Sequence, residues 1–192
     1  YKKANNTWTQ IGSDIDGEKA NDQVGYRVSL SDDGSVVAIV AMPLAPQNLG
    51  NAVEMPRGLV RIYKNVNNTW EKIGGDIDGE AVGDFSGWSV SLSNDGTVVA
   101  IGAFKNNGNG TDSGHVRIFE KINNTWTQIG SDIDGEAAGD YSAWSVSLSN
   151  DGSVLAIGAP GNDGNGESSG HVRIYKKANN TWTQIGSDID GE

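Results

Sequence analysis

The chain has no cysteine, only four prolines and only two histidines in its 192 residues. Without thiols there are no disulfide staples and no thiolate metal centres, although a core of this size needs no cross-links, so the compartment stays open. Cations are scarce: 14 Lys and Arg face 25 Asp and Glu, for a formal charge of −11. That balance excludes the clustered basic surface that nucleic acid or an anionic membrane requires. Long apolar runs are missing as well. The most apolar stretch, Val36 to Ala45, is too short to cross a bilayer and contains Pro43.

Glycine, by contrast, is abundant at 27 residues, and it recurs in register with an internal repeat. The segment from Tyr1 to Glu18 is repeated without a difference from Tyr175 to Glu192, and weaker copies lie between them. Trp8, Trp70, Trp126 and Trp182 each follow Asn-Asn-Thr and are separated by 62, 56 and 56 residues. A second marker, Tyr26, Trp88 and Trp144, keeps the same phase. Periods of this size belong to solenoids, propellers and arrays, in which contact between neighbouring repeats is the unit of stability.

Within one unit, Trp88 to Ser93 alternates large apolar with small polar residues, as a strand with unlike faces does. Asn94-Asp95-Gly96 then turns the chain, and Thr97 to Ala103 is a nearly continuous apolar run suited to a strand covered on both sides. After a polar loop, Gly114 to Lys121 alternates again, and Asn123-Asn124 turns into Thr125 to Gly130. The expected fold is all-β: four-stranded antiparallel blades of a β-propeller, in three repeats of about 56 residues plus an extra N-terminal strand. The units are a partial repeat over 1–21 and blades over 22–77, 78–133 and 134–192, together one propeller segment or array. The first blade has a longer loop, Met42 to Gly58, of seventeen residues where the later units have eleven.

The segment Phe85 to Leu92 followed by Ala100-Ile-Gly-Ala103, with its copy ending Ile157-Gly-Ala-Pro160, resembles the FG-GAP repeat of integrin-α-type β-propellers. In the first unit the pattern degrades to Val24-Gly25-Tyr26 and Val40-Ala41-Met42-Pro43. The resemblance implies that the first strand of each blade lines a central channel, and it implies an extracellular or cell-surface adhesive role. Calcium-binding members carry a long Asp-rich loop between the first and second strands. Asp32-Asp33-Gly34, Asn94-Asp95-Gly96 and Asn150-Asp151-Gly152 are tight turns that cannot wrap six or more oxygens round Ca²⁺.

Because strand direction alternates in a meander, the loops after strands two and four share one face, and that face is acidic. Asp-x-Asp-Gly-Glu recurs there as Asp14, Asp16, Glu18; Asp76, Asp78, Glu80; and Asp132, Asp134, Glu136. One reading is a Ca²⁺ site in each repeat, since hard cations take closely spaced carboxylates; Ca²⁺ is the sole cofactor the sequence suggests. The preferred reading is that Asp and Gly shape the turn while Ile15, Ile77 and Ile133 anchor it. Tyr26, Trp88 and Trp144, with Asp84 and Asp140, are candidate ligand contacts on the loop face, although aromatics at strand starts also fill the wedge between blades. On the opposite face Asn5, Asn67, Asn123 and Asn179 are formal N-glycosylation acceptors and equally good turn residues.

His115 and His171 are repeat copies whose counterpart is Leu59, and a position that accepts Leu is seldom catalytic. No nucleophile elbow, zinc-ligand spacing or phosphate loop stands apart from the near-symmetric pattern, which argues against an enzyme. The expectation is an extracellular adhesion or structural module binding a protein or glycan through its acidic face, with no nucleic-acid partner and no membrane insertion. The alternatives are a lectin-like propeller and a purely structural filament repeat. Three blades are too few to close a ring, so either the chain is a segment of a longer protein, or further copies of the repeat are its partners in a homo-oligomer, ring or filament, or the blades stack into an open array.

Overall fold

The computed structural model describes residues 1–43 and 56–192, which contain strands and turns and no helix. Most of the long first-unit loop, 44–55, and with it the six-residue difference from the later units, lies outside the described residues. The chain opens with a hairpin, β1 (Lys2–Ala4) and β2 (Thr7–Thr9), followed by three antiparallel sheets of matching plan. The first comprises β3 (Val24–Leu30), β4 (Val36–Ala41), β5 (Leu59–Val66), β6 (Thr69–Lys72) and β7 (Ile77–Asp78). The second holds β8 (Ser89–Leu92), β9 (Val98–Ala103), β10 (His115–Ile122), β11 (Thr125–Gln128) and β12 (Ile133–Asp134). The third holds β13 (Ser145–Leu148), β14 (Val154–Ala159), β15 (His171–Ala178), β16 (Thr181–Gln184) and β17 (Ile189–Asp190).

Two details differ from the sequence expectation. The Ile-Asp of each Asp-Ile-Asp-Gly run in the three sheets is a short strand and not merely loop: Val60 pairs with Ile77, Val116 with Ile133 and Val172 with Ile189. The outer edge is therefore made of two pieces, broken at Gly74 and Gly130, whose positive φ turns the chain between them. The extra N-terminal strand is in fact a two-stranded hairpin, because Lys2 to Ala4 can pair with Trp8 and its neighbours.

The core lies between sheets. In β9 alternate side chains serve opposite neighbours: Val99 and Ile101 join Val36, Val40 and Ile62 of the first sheet, whereas Val98 and Ala100 join Leu155 and Ile157 of the third. All six residues of β9 are buried, which is why this segment is continuously apolar. In β14, which has a neighbour on one face, burial alternates residue by residue. Backbone bonds continue the junctions, with Asp32 N–H donating to Asn94 O and Asn94 N–H to Asn150 O.

The repeated tryptophans tie each sheet to the unit before it. The rings of Trp70, Trp126 and Trp182 sit on Gly12, Gly74 and Gly130, where a Cβ would meet the ring at 2.8, 2.7 and 3.0 Å. Trp70 and Trp126 also donate Nε1–H to Ile11 O and Ile73 O. Trp8 lacks such a seat and is 64% exposed.

Asp33, Asp95 and Asp151 organise the tight turns; each accepts from the hydroxyl two residues before it and from the backbone N–H two residues after it. Hydrogen bonds from Ser149 and Ser153 bring the Asp151 carboxyl down to about 2. The Asn-Asn hairpin turns have positive φ at both residues in Asn67-Asn68 and Asn123-Asn124.

Trp126→Ala empties a buried junction and is expected to cost about 3–5 kcal/mol in urea unfolding. Trp8→Ala, on an exposed ring, should stay within about 0.5 kcal/mol of the parent. Equal losses would show that the ring-on-glycine seat does not hold the sheets together.

Candidate functional site

The loops after strands two and four do lie together. Asn109 donates to Gly135 O and Glu136 O, and Gly79 N–H and Gly135 N–H donate to Gly58 O and Gly114 O. Gly114 fits only as glycine: its φ is +77° and a Cβ would stand 2.0 Å from Ser142 O. This close weave delivers the carboxylates of successive Asp-x-Asp-Gly-Glu motifs to the junctions between sheets.

The three carboxylates of one motif are not brought together. Asp76 meets Arg61 at 3.1 Å, and Arg61 also holds Glu18 of the preceding unit at 3.0 Å. Glu80 instead crosses to the next sheet, beside Arg117, His115 and Asp132. Glu136 in turn joins Arg173, His171 and Asp188. Asp14 accepts from Gln10, while Asp16, Asp78 and Asp134 have exposed side chains. Each junction thus pairs the Glu of one motif with the first Asp of the next.

At the centre of each pair sits a buried arginine from the third strand. Arg117 donates to Asp78 O at 2.7 Å and stacks on Phe119; Arg173 donates to Asp134 O at 2.7 Å and stacks on Tyr175. In the first junction Lys72 adds a second cation, paired with Asp76. Burial pushes the Asp76 carboxyl up, but Lys72 and Arg61 more than offset this and hold it below the usual carboxylate value.

In the later junctions Gln128 and Gln184 replace Lys72 and donate to Asp132 and Asp188. Here His115 and His171, each almost fully buried, turn Nδ1 toward the carboxylates. Burial lowers the pKa of His115, and the opposing pull of Asp132 and Glu80 is weaker. Sequence reasoning passed over these histidines because the repeat position accepts Leu59. The available signal was a paired exchange: Leu59 occurs with Lys72, whereas His115 and His171 occur with Gln128 and Gln184.

The other candidate residues separate into two groups. Asp84 and Asp140 are buried and accept from Asn106 and Asn162, so they lock their own loops. Tyr26, Trp88 and Trp144 form a ladder along the first strands, with ring centres 6.0 and 5.2 Å apart and the Arg27 guanidinium over Tyr26 and Trp88. Trp88 and Trp144 line a cleft of about 420 Å³ with Arg27, Val28, Val90 and Val146. Asn5, Asn67, Asn123 and Asn179 are exposed at the opposite end.

Sheets that share apolar faces, ring-on-glycine seats and carboxylate–arginine junctions at each step define a β-repeat protein. Two of the repeats match the family model described as the FG-GAP repeat, over residues 77–119 and 132–175. No curated protein matches the sequence. Among solved structures, the chain is similar to a crystal structure from Bacteroides fragilis described as a candidate 6-phosphogluconolactonase, with a TM-score of 0.55 and 16% identity. The match covers 86% of this chain and 39% of that one, and at this identity it speaks for the fold alone.

A carboxyl held low by folding stabilises the protein above its unfolded pKa, and the benefit is lost as pH falls through the folded one. Asp76→Asn should therefore be less stable than the parent at pH 6, with the two unfolding midpoints converging as the pH falls below the usual carboxylate range. A difference that persists in acid would show that the Arg61–Lys72 pairing is not its source.

Proposed function

We propose that the chain is a non-enzymatic, propeller-type binding module of an extracellular or cell-surface protein, which engages a protein or glycan partner through its acidic loop face. The observation that carries this reading is the exposure of carboxylates on that face beyond those used in the junctions. Asp78, Asp134, Asp190, Asp163 and Glu167 all have exposed side chains there. A field of one sign at loop tips steers a cationic partner and weakens with salt. Measured on a panel of extracellular proteins and glycans, binding should fall at least about tenfold in the variant Asp78→Asn/Asp134→Asn/Asp163→Asn/Glu167→Gln, and between low and physiological salt. Binding indifferent to both would sink the reading, as would turnover of a sugar lactone above the uncatalysed rate.

The second reading, a lectin-like surface, draws support from Trp144, which is 44% exposed beside the aromatic cleft. It is favoured if glycan binding survives the carboxylate variant and is lost in Trp88→Ala/Trp144→Ala.

We also propose that the outer faces of the array seat a second copy of the chain. Val28 and Leu30 are exposed on the first sheet and Ile185 and Ile189 on the third, so Trp8 of one copy can occupy the Ile185–Gly186 seat of another. Such a head-to-tail contact repeats the junction already used inside the chain. Light scattering should give a mass above that of the monomer, reduced by Trp8→Ala; a monomer at high concentration would overturn it.

A further inference from the structure

The two later junctions have a geometry that their structural role leaves unexplained. At the junction of the first and second sheets, Glu80 Oε1 faces Arg117 and Asp132 Oδ1 accepts from Gln128. The remaining oxygens, Glu80 Oε2 and Asp132 Oδ2, lie 3.9 and 3.6 Å from His115 Nδ1, beyond hydrogen-bond range. The next junction repeats this with other residues: Glu136 Oε1 faces Arg173, Asp188 Oδ1 accepts from Gln184, and the free oxygens stand 3.8 and 3.7 Å from His171 Nδ1. In each cluster the three ligand-type atoms lie within 4.8 Å of one another.

We propose that each cluster, Glu80–His115–Asp132 and Glu136–His171–Asp188, binds one divalent transition-metal ion of the zinc class through imidazole Nδ1 and one oxygen of each carboxylate. The proposal stands apart from any partner at the loop face. Two ligands on a tetrahedral ion at about 2.0–2.1 Å are roughly 3.4 Å apart, so the imidazole–carboxylate separations close with movements of a few tenths of an ångström and the two carboxylate oxygens, within 4.8 Å of each other, with movements of about 1.4 Å at most. The carboxylates can make them, since the side chains of Glu80 and Asp132 are 44% and 30% exposed. The imidazole is held by burial: the side chains of His115 and His171 are only 2% and 1% exposed. An imidazole with two carboxylates is a mixed nitrogen and oxygen set, which suits Zn²⁺ better than the all-oxygen shell of Ca²⁺. A solvent-facing fourth position is left for water.

The first junction supplies the internal contrast. There Leu59 replaces the histidine, and Lys72, which replaces Gln128, places an ammonium against Asp76 and lies 3.9 Å from Glu18. Where the imidazole is missing, the protein provides its own second cation. Where it is present, the carboxylate pair faces one arginine, and no lysine stands against it among the described residues.

Metal-stripped protein titrated calorimetrically with Zn²⁺ should bind two ions per chain and unfold at higher temperature when loaded. The double variant His115→Leu/Gln128→Lys copies the first junction and should bind one. Adding His171→Leu/Gln184→Lys should abolish binding, with tryptophan fluorescence unchanged in both. Should the double or the quadruple variant fail to fold, His115→Gln and His115→Gln/His171→Gln, which keep the polarity and approximate size of the side chain, take their place. Absence of Zn²⁺ binding to the parent, two ions retained in the variants, or displacement of Zn²⁺ by millimolar Ca²⁺ would overturn the proposal.

Discussion

The whole structure depends on one constraint: a sheet of this kind cannot bury both of its faces by itself. Each strand with large side chains on alternate faces needs a neighbour on each side, so stability resides in the junctions. The central sheet satisfies both faces, and β9 accordingly contains no exposed residue. The outer sheets satisfy one face each and leave Val28 and Leu30 on one side and Ile185 and Ile189 on the other. The tryptophan-on-glycine seat adds geometric specificity to this burial. Its glycine combines a positive φ with contact too close for any Cβ, as Gly74 does beneath Trp126.

Much of this was legible in the sequence because the relevant signals are local. Period-two alternation in β8 and β10, the apolar run of β9 and the Asn-Asp-Gly and Asn-Asn turns define the strands without reference to distant residues. The short strands β7, β12 and β17 were hidden, because two residues cannot display a period and their partners sit far back along the third strand. Trp126 and Trp182 were readable as packing residues from their recurrence, but the glycine beneath each ring belongs to another unit.

The carboxylates resisted reading for a related reason. A repeat invites treatment of Asp-Ile-Asp-Gly-Glu as one object, yet the fold divides it, sending Asp76 toward Glu18 and Glu80 toward Asp132. Motif spacing reports which residues are close in the chain, whereas a junction gathers the end of one motif and the start of the next. Likewise Asp84 and Asp140 look like exposed loop acids in sequence, and only the return of the loop carrying Asn106 or Asn162 buries them.

The three junctions also show how an array of near-identical parts can acquire unlike properties. Arg61, Arg117 and Arg173 are common to all, and a buried guanidinium has to be matched by carboxylates or left at a large desolvation cost. That requirement fixes the acidic pair at every junction, whatever else it does. With the pair fixed, two neighbouring positions decide the remaining charge. Leu59 with Lys72 gives the acidic pair of the first junction, which Asp22 also approaches, a second cation, whereas His115 with Gln128, and His171 with Gln184, leave a rigid ring facing two half-satisfied carboxylates. A junction that must exist for stability is thus two substitutions away from a different electrostatic state. The differences among these repeats therefore carry more chemical information than the identical residues by which the repeats are first recognised.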